Sequence, residues 1–159
     1  MGLHIVLFEP KMPANTGNVS RTCLSGNATL HLIHPLGFVI TDKHLKRAGL
    51  DYWDQVDIRE YENIEDFYMK NKGGSFYYIE NYGTGYYTDY DYSAEDEEIF
   101  FVFGSETEGI PLELLKGKED QCLRVHMTEN DKVRSLNLSN TVAIVLYEAL
   151  RQQGFPNMK

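Results

Sequence analysis

Two short runs of this chain consist almost entirely of apolar side chains: Leu3 to Phe8, interrupted only by His4, and Ile99 to Phe103. Neither alternates with polar residues, as a strand with one wet face does, and neither is long enough to cross a membrane. They read as strands buried on both faces. Such strands belong to sheets joined by crossover connections, so the expected fold is α/β, with a mainly parallel sheet and helices on both faces. The intervening sequence follows that plan. Strands are expected at Thr29–Ile33, Gln55–Arg59, Ser75–Glu80 and Cys122–Val125. Helices are expected at Thr16–Gly26 with Asn15 as cap, at Asp42–Ala48, from a cap at Asn63 to about Lys70, at Pro111–Leu115, and at Asn137–Gln153 with Gly154 and Pro156 beyond it. With 159 residues, no repeat and no linker, the whole of 1–159 reads as one domain.

Composition narrows the partners. No apolar run suits a membrane span, and the first eight residues are too short and too poor in positive charge for a signal peptide. Cys23 and Cys122 have no metal-ligand spacing, and His31 and His34 are the only close histidine pair. These features point to a cytoplasmic protein without a metal. The net charge of −9 argues against a nucleic-acid partner if taken as a whole. But six carboxylates fall within Asp89–Glu98, while Lys43, Lys46 and Arg47 form a basic group elsewhere. The tyrosines of 81–98 suit packing or a ligand stack.

Three polar, turn-prone segments border apolar elements: Asn15-Thr16-Gly17-Asn18 with Arg21, Phe103-Gly104-Ser105-Glu106-Thr107-Glu108-Gly109, and Arg134-Ser135-Leu136-Asn137-Leu138-Ser139-Asn140. In open α/β sheets ligands sit beyond the carboxyl ends of strands, where glycine lets backbone approach a ligand closely. A helix start also offers unpaired N–H groups. Each segment taken singly also suits a plain turn or cap. The glycine spacing fits neither a dinucleotide fingerprint nor a phosphate-binding loop with its lysine, and no nucleophile elbow is present. The closing helix, with Val142, Ala143, Ile144, Val145, Leu146, Tyr147, Ala149 and Leu150, is apolar around more than one stripe. It is expected to be buried on more than one side, either within the core alone or also in a homodimer.

Together the three segments, as N-T-G-N-x-x-R, F-G-x-E-x-x-G and R-S-L-N-L-S-N, resemble the SPOUT superfamily of trefoil-knotted RNA methyltransferases. Leu36-Gly37-Phe38 and Arg47-Ala48-Gly49-Leu50-Asp51-Tyr52 are similar to its small YibK-like tRNA wobble-nucleotide 2′-O-methyltransferases. The resemblance implies a deep C-terminal trefoil knot, S-adenosylmethionine as cofactor, a homodimer, and the tRNA anticodon stem-loop as partner. It implies transfer of a methyl group to the ribose 2′-hydroxyl of nucleotide 34, a cytidine or modified uridine. By position it implies a cofactor pocket at Ile79, Gly104, Val125 and Ser135, with Glu106, Leu136 and Asn140 close by. It further implies reaction-site roles for Arg21, Asn15, Asn137 and Arg134. Arg21 suits phosphate positioning and oxyanion stabilisation better than proton abstraction, because a guanidinium keeps its proton. The alternatives are a ribosomal-RNA 2′-O-methyltransferase and a non-catalytic module binding RNA or S-adenosylmethionine.

Overall fold

The computed structural model describes residues 2–41, 43, 47 and 53–159. Seven strands form one sheet: β1 (Gly2–Phe8), β2 (Thr29–Ile33), β3 (Ile58–Tyr61), β4 (Ser75–Ile79), β5 (Gly85–Tyr86), β6 (Glu98–Phe103) and β7 (Cys122–Arg124). Their order is β3-β2-β1-β6-β4-β7-β5, and every pairing is parallel. The two most apolar strands, β1 and β6, are neighbours in the middle, paired from Gly2↔Glu98 to Leu7↔Phe103. Side chains alternate between the faces. Ile5, Leu7, Ile99, Phe101 and Phe103 join one buried cluster, while Val6, Phe8, Phe100 and Val102 join the other.

Helices cover both faces. Helix α1 (Pro13–Ser25) and the closing helix α4 (Leu138–Gln152) bury Val19, Cys23, Val142, Val145, Leu146, Ala149 and Leu150 against the first face. On the other face lie α2 (Ile64–Lys70) and the single-turn α3 (Leu112–Leu115), which bury Ile64, Phe67 and Leu115. Gly26, just past the end of α1, leaves room for α4: a Cβ there would stand 2.9 Å from Cδ2 of Leu146.

Several boundaries differ from expectation. Helix α1 begins at Pro13, so Asn15 lies inside it and caps nothing; Pro13 occupies a first-turn position, where a missing N–H costs least. The third strand is shifted to Ile58–Tyr61, after a 3-10 turn at Trp53–Gln55. The short edge strand β5 falls within 81–98, where no strand is expected, and most of the expected helix Asp42–Ala48 lies outside the described residues. Helix α4 buries one stripe, not several sides. Ala143 and Ile144 are half-buried and Tyr147 is 37% exposed.

The histidines also pair differently from their spacing in the chain. His4, not His34, is the neighbour of His31, with Nδ1 of His4 2.8 Å from Nε2 of His31. His31 Nδ1 meets the Tyr61 hydroxyl at 2.8 Å, Asn71 Nδ2 donates to that hydroxyl at 3.2 Å, and His4 Nε2 contacts Glu98. With both rings neutral, every link has one donor and one acceptor, running from Asn71 through Tyr61, His31 and His4 to Glu98.

Candidate active site

The three polar segments meet at one end of the sheet. They lie beyond the carboxyl ends of β1 and β6, at the entry to α4. The loop after β6 folds back on itself. Ser105 bridges Gly109, the Gly109 N–H donates to the Ser105 carbonyl (3.0 Å), and the Glu108 N–H donates to the Ser105 hydroxyl (3.0 Å). Gly104 makes this possible, because a Cβ there would overlap the backbone of Gly109 and Ile110.

Glu106 then ties this loop to the start of α1. Its carboxylate accepts the N–H groups of Lys11 (2.9 Å) and Met12 (2.8 Å), amides at a helix start that has no side-chain cap of its own. It also accepts Nδ2 of Asn15 at 3.3 Å. The buried Asn15 offers its Oδ1 to Nδ2 of Asn137 at 3.1 Å. Asn137 in turn caps α4 as expected, accepting the N–H of Ser139 (2.9 Å) and Asn140 (3.4 Å) through Oδ1. A continuous chain from Glu106 through Asn15 and Asn137 to the first turn of α4 therefore joins all three segments and fixes the orientation of both amides.

Beside this chain is a cavity of about 570 Å³. Its apolar wall includes Ile79, Val125, Leu136 and Leu138, and Gly104, Glu106, Ser135, Arg134, Asn15 and Asn137 also face it. Of the residues singled out from the sequence, Arg21 and Asn140 do not line it. Arg21 is exposed on α1, six residues past Asn15 and so about 9 Å along the helix axis. Tyr82, one of the tyrosines of 81–98, also lines the cavity, while sequence reasoning missed Glu80 and Met127. Glu80 directly follows the last residue of β4, and the rule that ligands gather at strand ends identifies that position. Burial raises the Glu80 carboxyl above the usual carboxylate range, although it accepts the Ile110 and Asn81 amides. Glu80, Glu106 and Glu108 make the rim acidic, with Lys11 Nζ 3.5 Å from Glu108 as a partial counterweight. No group of His, Cys, Asp and Glu among the described residues is arranged to hold a metal ion.

Residues 2–147 match the SpoU rRNA methylase family. The chain belongs to that family. Among its SpoU relatives is a Geobacillus stearothermophilus protein provisionally named a tRNA (cytidine(34)-2′-O)-methyltransferase. It is 59% identical over 155 residues, with 98% of each chain covered. A crystal structure of a provisionally named RNA methyltransferase from Bacillus anthracis superposes with a TM-score of 0.93 at 54% identity, covering 99% of this chain and 98% of that one. A second SpoU-like structure, described as giving insight into 2′-OH methylation of C/U34 on tRNA, superposes with a TM-score of 0.87 at 37% identity, covering 96% and 97%.

Proposed function

We propose that this chain transfers a methyl group from S-adenosylmethionine to the ribose 2′-hydroxyl of nucleotide 34 in the tRNA anticodon loop. The observation that carries the reading is the convergence of the three motif segments on one cavity through Glu106, Asn15 and Asn137. The full-length similarity to proteins named for that reaction supports it.

The cavity suits the cofactor in size and chemistry. At about 570 Å³ it falls in the range for small-ligand sites. Its apolar wall fits an adenine, and its acidic rim favours a ligand bearing positive charge. Ile79, Gly104, Val125, Ser135, Glu106, Leu136 and Asn140 are assigned to the cofactor side. Within that group, Glu106 acts by holding the loop, and Asn140 through its place in the first turn of α4. When bound, S-adenosylmethionine supplies an electrophilic methyl on a sulfonium centre. The protein's remaining task is alignment and charge stabilisation. Asn15 and Asn137 hold fixed amide groups at the cavity, and Ile79 and Val125 exclude water. Arg134 and Arg21 position phosphate and stabilise the negative charge that develops on the ribose oxygen.

The full reading includes a homodimer formed along α4 at Ala143, Ile144 and Tyr147. It also includes a single domain over 1–159, a cytoplasmic setting and a deep trefoil knot. Supporting the knot, β7 lies near one edge of the sheet, while α4, which follows it, packs on α1 beside β1. The test is incubation of the protein and labelled cofactor with purified tRNA and, separately, ribosomal RNA. Label at the ribose of nucleotide 34 is the expected result. Label confined to ribosomal RNA moves the substrate, and binding without turnover removes the enzyme.

A further inference from the structure

The edge of the sheet next to the cavity carries a second group of side chains that the proposed chemistry does not use. Tyr86 on β5 pairs in register with Arg124 on β7, and His126 lies two residues beyond Arg124. The Tyr86 and His126 rings are stacked, with centroids 4.0 Å apart and planes 7° apart. Both residues are exposed, Tyr86 at 39%. The Arg124 guanidinium carbon is 5.9 Å from the Tyr86 centroid. Its Nε is shielded from solvent and has no hydrogen-bond partner, and Arg124 makes no ion pair among the described residues. A shielded guanidinium N–H with no acceptor is costly unless a ligand supplies one.

Val125 and Met127, on either side of His126, line the cavity, so the group borders it along the chain while its own side chains lie outside the lining. The acidic run starts at Asp89, three residues past Tyr86, and then turns away. The segment 89–98 leads back to the opposite end of the sheet, where Gly2 N donates to the Glu97 carbonyl (3.2 Å) and β6 begins. An exposed aromatic stack over a guanidinium is the combination that holds an unpaired nucleotide, the ring taking the base and the cation its phosphate.

We propose that Tyr86, His126 and Arg124 form a stacking platform for an unpaired anticodon-loop nucleotide neighbouring the one that is methylated, with Arg124 pairing to its phosphate. The inference rests on the RNA-methylating reading and gives that site its RNA-facing flank.

The test measures binding of a fluorescent anticodon stem-loop RNA and, in parallel, methyl transfer to tRNA. Relative to wild type, Tyr86→Ala and His126→Ala are expected to weaken RNA binding and raise KM for tRNA about tenfold, within the range known for loss of one stacked base. The kcat at saturating RNA and calorimetric binding of S-adenosylmethionine stay unchanged, and Tyr86→Trp restores RNA affinity. Arg124→Gln is expected to flatten the slope of log affinity against log salt by about 0.7, the value for one single-strand phosphate. Wild-type RNA affinity in these variants, or a change of oligomeric state in place of RNA affinity, overturns the platform while leaving methyl transfer standing. Tyr86-dependent RNA binding without any transfer keeps the platform and overturns the enzymatic reading. Absence of RNA binding by the wild type overturns both.

Discussion

Glu106 has three partners, the Lys11 and Met12 amides and the Asn15 side chain, and all of them belong to a different segment of the chain. Removing the carboxylate leaves two helix-start amides unpaired beside the cavity. Glu106→Ala is therefore expected to cost about 1–3 kcal/mol by chemical denaturation and to loosen cofactor binding. Unchanged stability and affinity would mean that water replaces the carboxylate without loss. Arg21 stands outside the cavity lining. It is exposed and away from the cavity wall, so Arg21→Ala is expected to leave thermal stability and cofactor affinity intact and abolish methyl transfer. Retained turnover contradicts its assignment.

The elements were largely legible because their signals are local. Apolar runs mark β1 and β6, and the asparagine caps of α2 and α4 accept the expected backbone N–H groups. What was hidden depends on distant residues. Asn15 looks like a cap in sequence, but Pro13 starts the helix and Glu106, more than ninety residues away, takes the amides a cap would satisfy. The same holds for His4 and His31, brought together by the β1–β2 register. Burial lowers His4 to about 4, helped by Arg59, and lowers His31 to about 3, helped by His4. Both folded values lie below the unfolded value of about 6.5, so the unfolded chain binds more protons as the medium acidifies. The stability from burying neutral rings is complete above about pH 6.5 and is lost as pH falls through that value toward 4 and then 3. Denaturation of the wild type between about pH 7.5 and 4.5 should show a loss a few kcal/mol larger than for His31→Gln; equal losses would mean the rings protonate freely in the fold. On α4, Leu146 is wholly buried and touches the space Gly26 leaves open. Leu146→Ala should cost about 2–5 kcal/mol by the same assay, and a smaller cost would place α4 loosely on α1.

At the scale of the molecule, the parallel sheet has a direction. All strands start at one end, where Glu97 and Glu98 lie beside Gly2 and Ser75, and the cavity opens at the other. Carboxylates stand at both ends, so with a net charge of −9 contact with RNA depends on local cations such as Arg134 at the cavity. The proposed homodimer sets the half-open stripe of α4 against a second copy. Tyr147→Asp should convert a dimer to a monomer in light scattering and lower turnover on tRNA, while a persistent dimer would move the interface elsewhere. The proposed knot and the cofactor have no signature in periodicity or composition, since threading and ligand identity are not set by local pattern. The most direct test of the central claim is mass spectrometry of tRNA after reaction with S-adenosylmethionine. The account predicts one added methyl on the ribose of nucleotide 34, absent with Arg21→Ala; unmodified nucleotide 34 in the wild-type reaction would contradict it.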